Sequence, residues 1–339
     1  MLESEIQTLK VGVEALLAEY FTAKRASAGD LAREAIELVD AVETLTMRGG
    51  KRLRALVVRA GMVAIDPKAE LEPALRAGAA IELLQTYLLI HDDWMDQDDQ
   101  RRGGPAIHRL LADARQNEHL GASLAVLAGD LAGTYAWELL SQAAPAQHLL
   151  AVVRNYVRMQ EEVLFGQHLD VTASPDVERM HTLKTASYTV TGPLRIGAAL
   201  CGASEAQLQA LNDFGTPIGI AFQLRDDLLG TFGQAADTGK PTGNDLRAGK
   251  RNALTVEAER RLGSDWSKVS PVFGVQQAAQ ADVQVAIAAI RDSGAAEAVE
   301  TELTRQTALA RARLAEAPFS REGKAMLEDI VRLLVDRDR

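Results

Sequence analysis

Ile-Glu-Leu-Leu-Gln-Thr-Tyr-Leu-Leu-Ile-His-Asp-Asp-Trp-Met-Asp-Gln-Asp-Asp-Gln-Arg-Arg-Gly-Gly-Pro, residues 81–105, opens as an apolar run and closes as a charged one. The run Ile81 to Ile90 has the length and composition of a buried helix. Five carboxylates follow (Asp92, Asp93, Asp96, Asp98, Asp99), and then Arg101 and Arg102. Asp92 and Asp96 are four apart, so on a helix they share a face one turn apart. Stacked carboxylates repel unless a cation lies between them, and all-oxygen ligands suit a hard one. Mg²⁺ keeps most of its waters and takes one or two carboxylates together with substrate phosphates. Guanidinium is planar and permanently charged, which suits phosphate. The stretch reads as a magnesium–diphosphate site at the end of a buried helix, in preference to a solvated acidic helix end.

Composition agrees with a helical chain. Ala and Leu dominate many segments, and period-two alternation of Val or Ile is rare, which favours an all-α fold. With 47 % hydrophobic and 25 % charged residues among 339, the chain has the balance of an ordinary globular protein. The formal charge of −10 argues against a nucleic-acid partner. The single cysteine, Cys201, excludes an intrachain disulfide, and its small apolar neighbours suggest a buried structural thiol. No basic stretch leads into an apolar core at the start, and no apolar run reaches the membrane-spanning length of about 18 residues. A cytoplasmic protein without membrane insertion is expected.

Helical periodicity runs over 2–25, 30–47, 69–96, 119–143, 146–170, 176–202 and 205–232, and through the Ala-rich part of 277–316. Gly49 and Gly50 interrupt it, and the basic residues after them restart a helix, so Lys51 and Arg54, three apart, share a face. Together with free amides at a helix start they have the makings of an anion site, and a basic surface cluster is the equal alternative from these residues alone. Residues 97–107 read as a loop, and Pro193 should kink or interrupt its helix. On 119–143 a stripe of Ala122, Ala125, Ala128, Gly129, Ala132 and Gly133 permits close packing. Phe222-Gln223-Leu224-Arg225-Asp226-Asp227 forms a second acidic centre, with Gln223 and Asp226 on one face. The polar loop after it, with Lys240, has the character of a lid over phosphate. Residues 264–275 read as a loop with at most a short element. No linker separates two cores, so residues 1–339 are expected to form one domain.

With these residues in order, the chain resembles the trans-isoprenyl (polyprenyl) diphosphate synthase family over roughly 45–300. Asp92-Asp93-x-x-Asp96-x4-Arg101-Arg102-Gly103 is similar to the family's first aspartate-rich motif, and Gly49-Gly50-Lys51-x-x-Arg54 to its Gly-Lys-x-x-Arg motif. Gln167-x-x-Asp170, Lys184-Thr185, Phe222-Gln223-x-x-Asp226-Asp227 and Lys240 also look like family elements. The resemblance implies helices packed around a deep central cavity, a homodimer, and head-to-tail condensation of an allylic diphosphate with isopentenyl diphosphate. It implies three Mg²⁺ ions held by Asp92, Asp96 and Asp226, with Asp170 beside them. Arg101, Lys184, Lys240 and Gln223 would bind the allylic diphosphate. Lys51, Arg54, Gln85 and Arg102 would bind isopentenyl diphosphate. Gln223, Thr185 and the Lys184 carbonyl would face the allylic cation, and the departed diphosphate would remove the final proton. His91 is left as structural. Two positions depart from the family pattern. Gly230 stands where the second motif usually has its last aspartate, with Asp245 available to assist Asp226. Gln85 stands where His is more usual.

Product length should depend on the wall below Asp92. At about 100° per residue, Ile81 lies about 20° and Leu88 about 40° from Asp92, and Tyr87 about 140° away. Leu88 is thus the nearer wall, although the family associates both Tyr87 and Leu88 with length control. The pattern looks like that of synthases with geranylgeranyl diphosphate as product, farnesyl diphosphate coming next. A longer-chain polyprenyl synthase, a class I terpene cyclase and a non-catalytic synthase subunit are the alternatives.

Overall fold

Residue 73 is proline at the start of the helix Glu72–Met95, where its missing N–H costs nothing and its φ suits the first turn. Nine of the ten residues 77–86 behind it are buried, among them Ile81, Leu83 and Leu84 with no accessible surface at all. Burying each such aliphatic side chain contributes about 1.5–3 kcal/mol. The computed structural model describes residues 2–233 and 242–335. In chain order the first helices are α1 (Leu2–Leu31), α2 (Ile36–Met47), α3 (Leu53–Ile65) and α4 (Glu72–Met95). A short hairpin follows, β1 (Gln100–Arg101) antiparallel to β2 (Gly104–Pro105). Then come α5 (Ile107–Arg115), α6 (Glu118–Ala143), α7 (Leu149–Val171) and α8 (Val177–His181). A π-helical stretch, Thr182–Thr191, leads into α9 (Gly192–Leu200) and α10 (Glu205–Phe232). The chain continues through α11 (Asn244–Arg247), α12 (Ala253–Leu262), α13 (Gln280–Asp292), α14 (Ala295–Glu316) and α15 (Arg321–Leu334). The fold is all-α. Among the described residues no helix is long and apolar enough to cross a membrane.

Backbone contacts divide the chain into two compact units. The first holds Met1–Val157, Gly192–Leu208 and Phe319–Met326; the second holds Arg158–Thr191, Gln209–Pro318 and Leu327–Arg339. In the first unit α4 packs along α6, whose start is capped by the Asn117 side chain accepting from Leu120 N at 3.0 Å. The small-residue stripe of α6 lets α4 come close: a Cβ on Gly129 would overlap the His91 ring. In the second unit α12 lies against α14 and opens with a capping box between Asn252 and Thr255.

Several boundaries differ from the sequence expectation. Residues 97–107 contain a hairpin as well as loop. Its turn residues Arg102 and Gly103 both have positive φ, 52° and 73°, the combination that suits the twist of a two-residue hairpin. The helix expected over 176–202 is three pieces. Pro193 cannot donate to the carbonyl four residues back, and the wide π turns lie directly before it. Residues 263–268 form a 3₁₀ turn. The helix expected to restart with the basic residues begins at Leu53, so Lys51 precedes it and does not share a helical face with Arg54.

Candidate active site

The last turn of α4 keeps its register: Asp96 N donates to Asp92 O at 2.8 Å, so the two side chains lie one turn apart. Gln85, Leu88, Leu89, Asp92 and Asp96 retain accessible surface, while Ile81, Leu84, Thr86, Ile90 and Asp93 are buried. The accessible stripe therefore joins an apolar surface to the carboxylates. Tyr87 and His91 form a different ridge, their rings 4.8 Å apart, and they face Gly133 and Gly129 of α6. His91 Nε2 lies 3.2 Å from Val126 O, an acceptor only, so it carries the proton and donates. This geometry gives His91 a packing role.

Asp93 points the other way and has no accessible surface. Arg101 Nε donates to Asp93 Oδ1 at 2.6 Å, and its Nη2 reaches Asp98 at 3.2 Å and Asp92 at 3.7 Å. Burial pushes Asp93 up to about 6 even though Arg101 pulls it down. Burial works most strongly against the Arg101 charge, but the Asp93 hydrogen bond and the charges of Asp93, Asp92 and Asp98 together outweigh it and raise the guanidinium. Arg101 thus fastens the hairpin to the end of α4, with Asp92 in reach of the same guanidinium.

A cationic nest lies in the same unit. Gly49 and Gly50 have φ of 87° and 123°, and Arg52 is left-handed at 49°. A non-glycine residue held there costs about 1–3 kcal/mol. Arg52 is held by its side chain, which donates to Glu82 at 2.9 Å and to Thr46 O at 2.8 Å within the core. This staple orients the backbone from which Lys51 and Arg54 project. Lys51 is exposed. Arg54 Nη1 donates to Gln85 Oε1 at 2.6 Å. Arg102, at the hairpin turn, reaches Leu45 O at 3.4 Å. Burial lowers the Arg102 guanidinium below its ordinary value; Glu82 opposes this, while Arg52, Arg54 and Arg101 add to it. Arginines crowded around one buried glutamate favour an anion. The structure brings Arg54, Gln85 and Arg102 to this place, and Arg52 with Glu82 is the part that sequence reasoning passed over.

In the second unit the π stretch carries Lys184 and Thr185. Two glycines clamp it: a Cβ on Gly166 of α7 would lie 2.2 Å from Lys184 N, and one on Gly219 of α10 would lie 2.3 Å from Ala186 Cβ. A glycine inside a helical pattern, costing about 1 kcal/mol against alanine, was the available sign of such a contact. Lys184 Nζ pairs with Asp170 Oδ2 at 2.5 Å. Thr185 Oγ1 donates to Gln223 Oε1 at 2.7 Å. Gln223 turns to Asp227, not Asp226: its Nε2 donates to Asp227 Oδ1 at 2.7 Å. Ala253 N, at the start of α12, donates to Asp227 Oδ2 at 2.9 Å. Asp227 is 2 % exposed, and burial raises it to about 7 against the pull of these two bonds. His181 Nε2 lies 3.6 Å from Asp227 Oδ2, and burial holds that imidazole down at about 4. Asp226 retains accessible surface.

Asp245 fills the space beside Gly230. A Cβ on Gly230 would lie 2.2 Å from Asp245 Oδ2, which accepts from Asn252 Nδ2 at 3.1 Å. Arg247 ties the segment to Thr242 O at 2.9 Å, and Gly274 N donates to Leu246 O at 2.9 Å. Residues 263–275 thereby gain a bracing role. Lys240 lies outside the described residues. Cys201 is partly exposed, and burial still pushes its thiol up to about 11, away from nucleophilic use.

Among the described residues no three His, Cys, Asp or Glu side chains converge closely enough to hold a metal alone. Asp92 and Asp96 on one face, and Asp226 and Asp170 elsewhere, offer oxygen donors only. That set fits Mg²⁺, whose remaining positions go to water and substrate phosphate.

A model of the polyprenyl synthetase family matches residues 36–290. The structure is similar to that of a geranylgeranyl pyrophosphate synthase from Corynebacterium glutamicum complexed with isoprenyl diphosphate and magnesium. The TM-score is 0.89 and the identity 34 %, over 97 % of this chain and 98 % of that one. A geranylgeranyl diphosphate synthase of Sulfolobus acidocaldarius is 34 % identical over 69 % of this chain and 70 % of its own. A geranylfarnesyl diphosphate synthase of Natronomonas pharaonis is 30 % identical over 88 % and 90 %.

Proposed function

The chain belongs to the polyprenyl synthetase family and is a prenyltransferase, and we propose that it condenses isopentenyl diphosphate head-to-tail with an allylic diphosphate to give geranylgeranyl diphosphate. The observation that carries this reading is the cationic nest of Arg54, bonded to Gln85, and Arg102, beside the buried Arg52–Glu82 pair and in addition to the Asp92 and Asp96 carboxylates. Two diphosphates need two anion sites. A class I terpene cyclase binds one, and a non-catalytic subunit would be expected to have lost such residues.

Magnesium ions, three per site in this reading, would be held by Asp92, Asp96, Asp226 and Asp170 and would supply positive charge against the leaving diphosphate. Arg101 and Lys184 bind the same diphosphate. Each gives up part of its present contact with Asp93 or Asp170, so charge is already gathered before the carbon–oxygen bond breaks. Lys51, Arg54, Gln85 and Arg102 hold isopentenyl diphosphate. The carbon–carbon bond forms from its double bond to the allylic carbon, and a proton then leaves to the departed diphosphate. Thr185 and Gln223 present fixed dipoles to the allylic cation. Leu88, on the accessible stripe with Asp92, walls the growing chain, while Tyr87 is turned toward Gly133.

Leu150, Val157, Leu164 and Val171 recur every seven residues on α7 and are all exposed, as are Leu120 and Leu127 on α6. Such apolar stripes are suited to a second copy of the chain, which supports a homodimer. The family match runs through segments of both units, which supports treating residues 1–339 as one polyprenyl synthase domain. The test is incubation with Mg²⁺, isopentenyl diphosphate and each allylic diphosphate in turn, with products identified by mass. Geranylgeranyl diphosphate is expected. Farnesyl or longer products would correct the length, and a cyclised hydrocarbon or no turnover would overturn the reaction.

A further inference from the structure

We propose that Asp227 is a positioning residue that sets the polarity of the Gln223 amide, and that it is not a metal ligand. The inference rests on the reading in which Gln223 and Thr185 face the allylic cation. A glutamine amide can be turned over at little cost, since its two ends differ only in donor and acceptor character. Which end faces the reaction is therefore decided by its neighbours.

Asp227 decides it. As a carboxylate it only accepts, and it does so on both oxygens, from Gln223 Nε2 at 2.7 Å and from Ala253 N at 2.9 Å. The amino end of Gln223 is thereby held on Asp227, and the carbonyl end is left where Thr185 Oγ1 donates to it at 2.7 Å. The backbone N–H of Ala253 cannot reverse its role, so the sense of the whole chain is set from the start of α12. Asn252, which caps that helix, also holds Asp245, so the helix start is itself braced. Asp227 is 2 % exposed and His181 packs against its outer oxygen at 3.6 Å, which leaves no open face for an ion with a water shell. The carbonyl dipole of Gln223 then points its negative end away from Asp227, as stabilising a cation requires.

An amide at position 227 reverses the logic without changing the shape. Its oxygen must face Ala253 N–H, so its amino group faces Gln223 and turns that side chain over. Asp227→Asn should therefore lower kcat about 100-fold, the scale for losing one preorganised dipole. KM for both substrates, and the affinity for Mg²⁺ with inorganic diphosphate measured by calorimetry, should stay unchanged. Asp226→Asn should weaken that affinity. Adding Gln223→Glu to Asp227→Asn restores an oxygen toward Thr185 and should recover at least about tenfold in kcat over Asp227→Asn. If Asp227→Asn melts below the assay temperature, Gln223→Glu alone asks the same question. It sets two carboxylates face to face and should lower kcat.

The inference is overturned if Asp227→Asn keeps its kcat, if it weakens Mg²⁺–diphosphate binding as Asp226→Asn does, or if the double variant fails to recover. In the fallback, unchanged kcat in Gln223→Glu overturns it equally. A natural chain that makes no prenyl diphosphate instead overturns the reading of the reaction, and the two failures are told apart by that first measurement.

Discussion

Each of the two Asp-Asp pairs puts its first carboxylate within reach of solvent and its second in the core, and their second members are held in opposite ways. Asp93 on α4 is met by a cation, the guanidinium of Arg101 eight residues on. Asp227 on α10 is met by neutral donors, the Gln223 amide and the Ala253 backbone. The first arrangement joins neighbours in sequence and ties a hairpin to a helix end. The second joins segments far apart, since Thr185 and Gln223 are 38 residues apart and Asp227 and Ala253 are 26 apart. A pair of aspartates is thus one motif in sequence and two devices in space: the outward member reaches solvent, and the inward one is bonded into the scaffold.

The strongest test of that division is at the outward members. Asp92→Ala or Asp226→Ala should lower turnover by several orders of magnitude and abolish Mg²⁺-dependent diphosphate binding, measured by steady-state rates and calorimetry. Near-normal turnover in either would break the comparison. The inward members should separate next by stability. Asp93→Ala leaves Arg101 buried without its main partner and should cost about 3–5 kcal/mol in chemical denaturation. Asp227→Ala strands neutral donors only and should cost about 1–3 kcal/mol. Equal losses would mean that the two pairs are alike after all.

At Gly230 the crowding by Asp245 gives a reciprocal test. Gly230→Asp should destabilise by about 1–3 kcal/mol through overpacking, and Asp245→Ala in the same chain should recover most of it. On the first unit's side, Leu88→Phe should shorten the product by one isoprene unit, read by mass, because a helical turn rises about 5.4 Å. The smallest effect belongs to α12, whose start Asp227 holds. Glu257 bonds Arg260 and Arg261, and these bonds depress its carboxyl to about 2. A depressed folded value stabilises above the unfolded value near 4.5 and is lost as pH falls toward 2. Glu257→Gln should therefore cost about 0.5 kcal/mol at pH 7, and the difference in thermal denaturation should vanish over that window.

Much of this was readable without coordinates because it depends on near neighbours. The α10 helix has the expected bounds, and Asp92 and Asp96 stack as their spacing requires. Arg54 meets Gln85, and Arg102 stands beside the same arginines, as the motifs suggested. What was not readable depends on where a side chain turns. The motif leaves position 52 unspecified, yet Arg52 is the residue whose side chain enters the core. Gln223 and Asp226 share a face by their spacing, but that spacing does not show that the Gln223 amide bonds Asp227.

By itself the sequence determined the helices, the first carboxylate face and the kinds of charge available, because a helix places residues three and four apart on one face whatever surrounds it. Only the tertiary structure decided which aspartate of each pair is spent on the scaffold. It also decided that Lys184 and Thr185 ride on π turns between Gly166 and Gly219, and that Asp245 occupies the room left by Gly230. Those outcomes follow from burial, where each polar group must find a partner, and the partners come from parts of the chain that no local pattern connects.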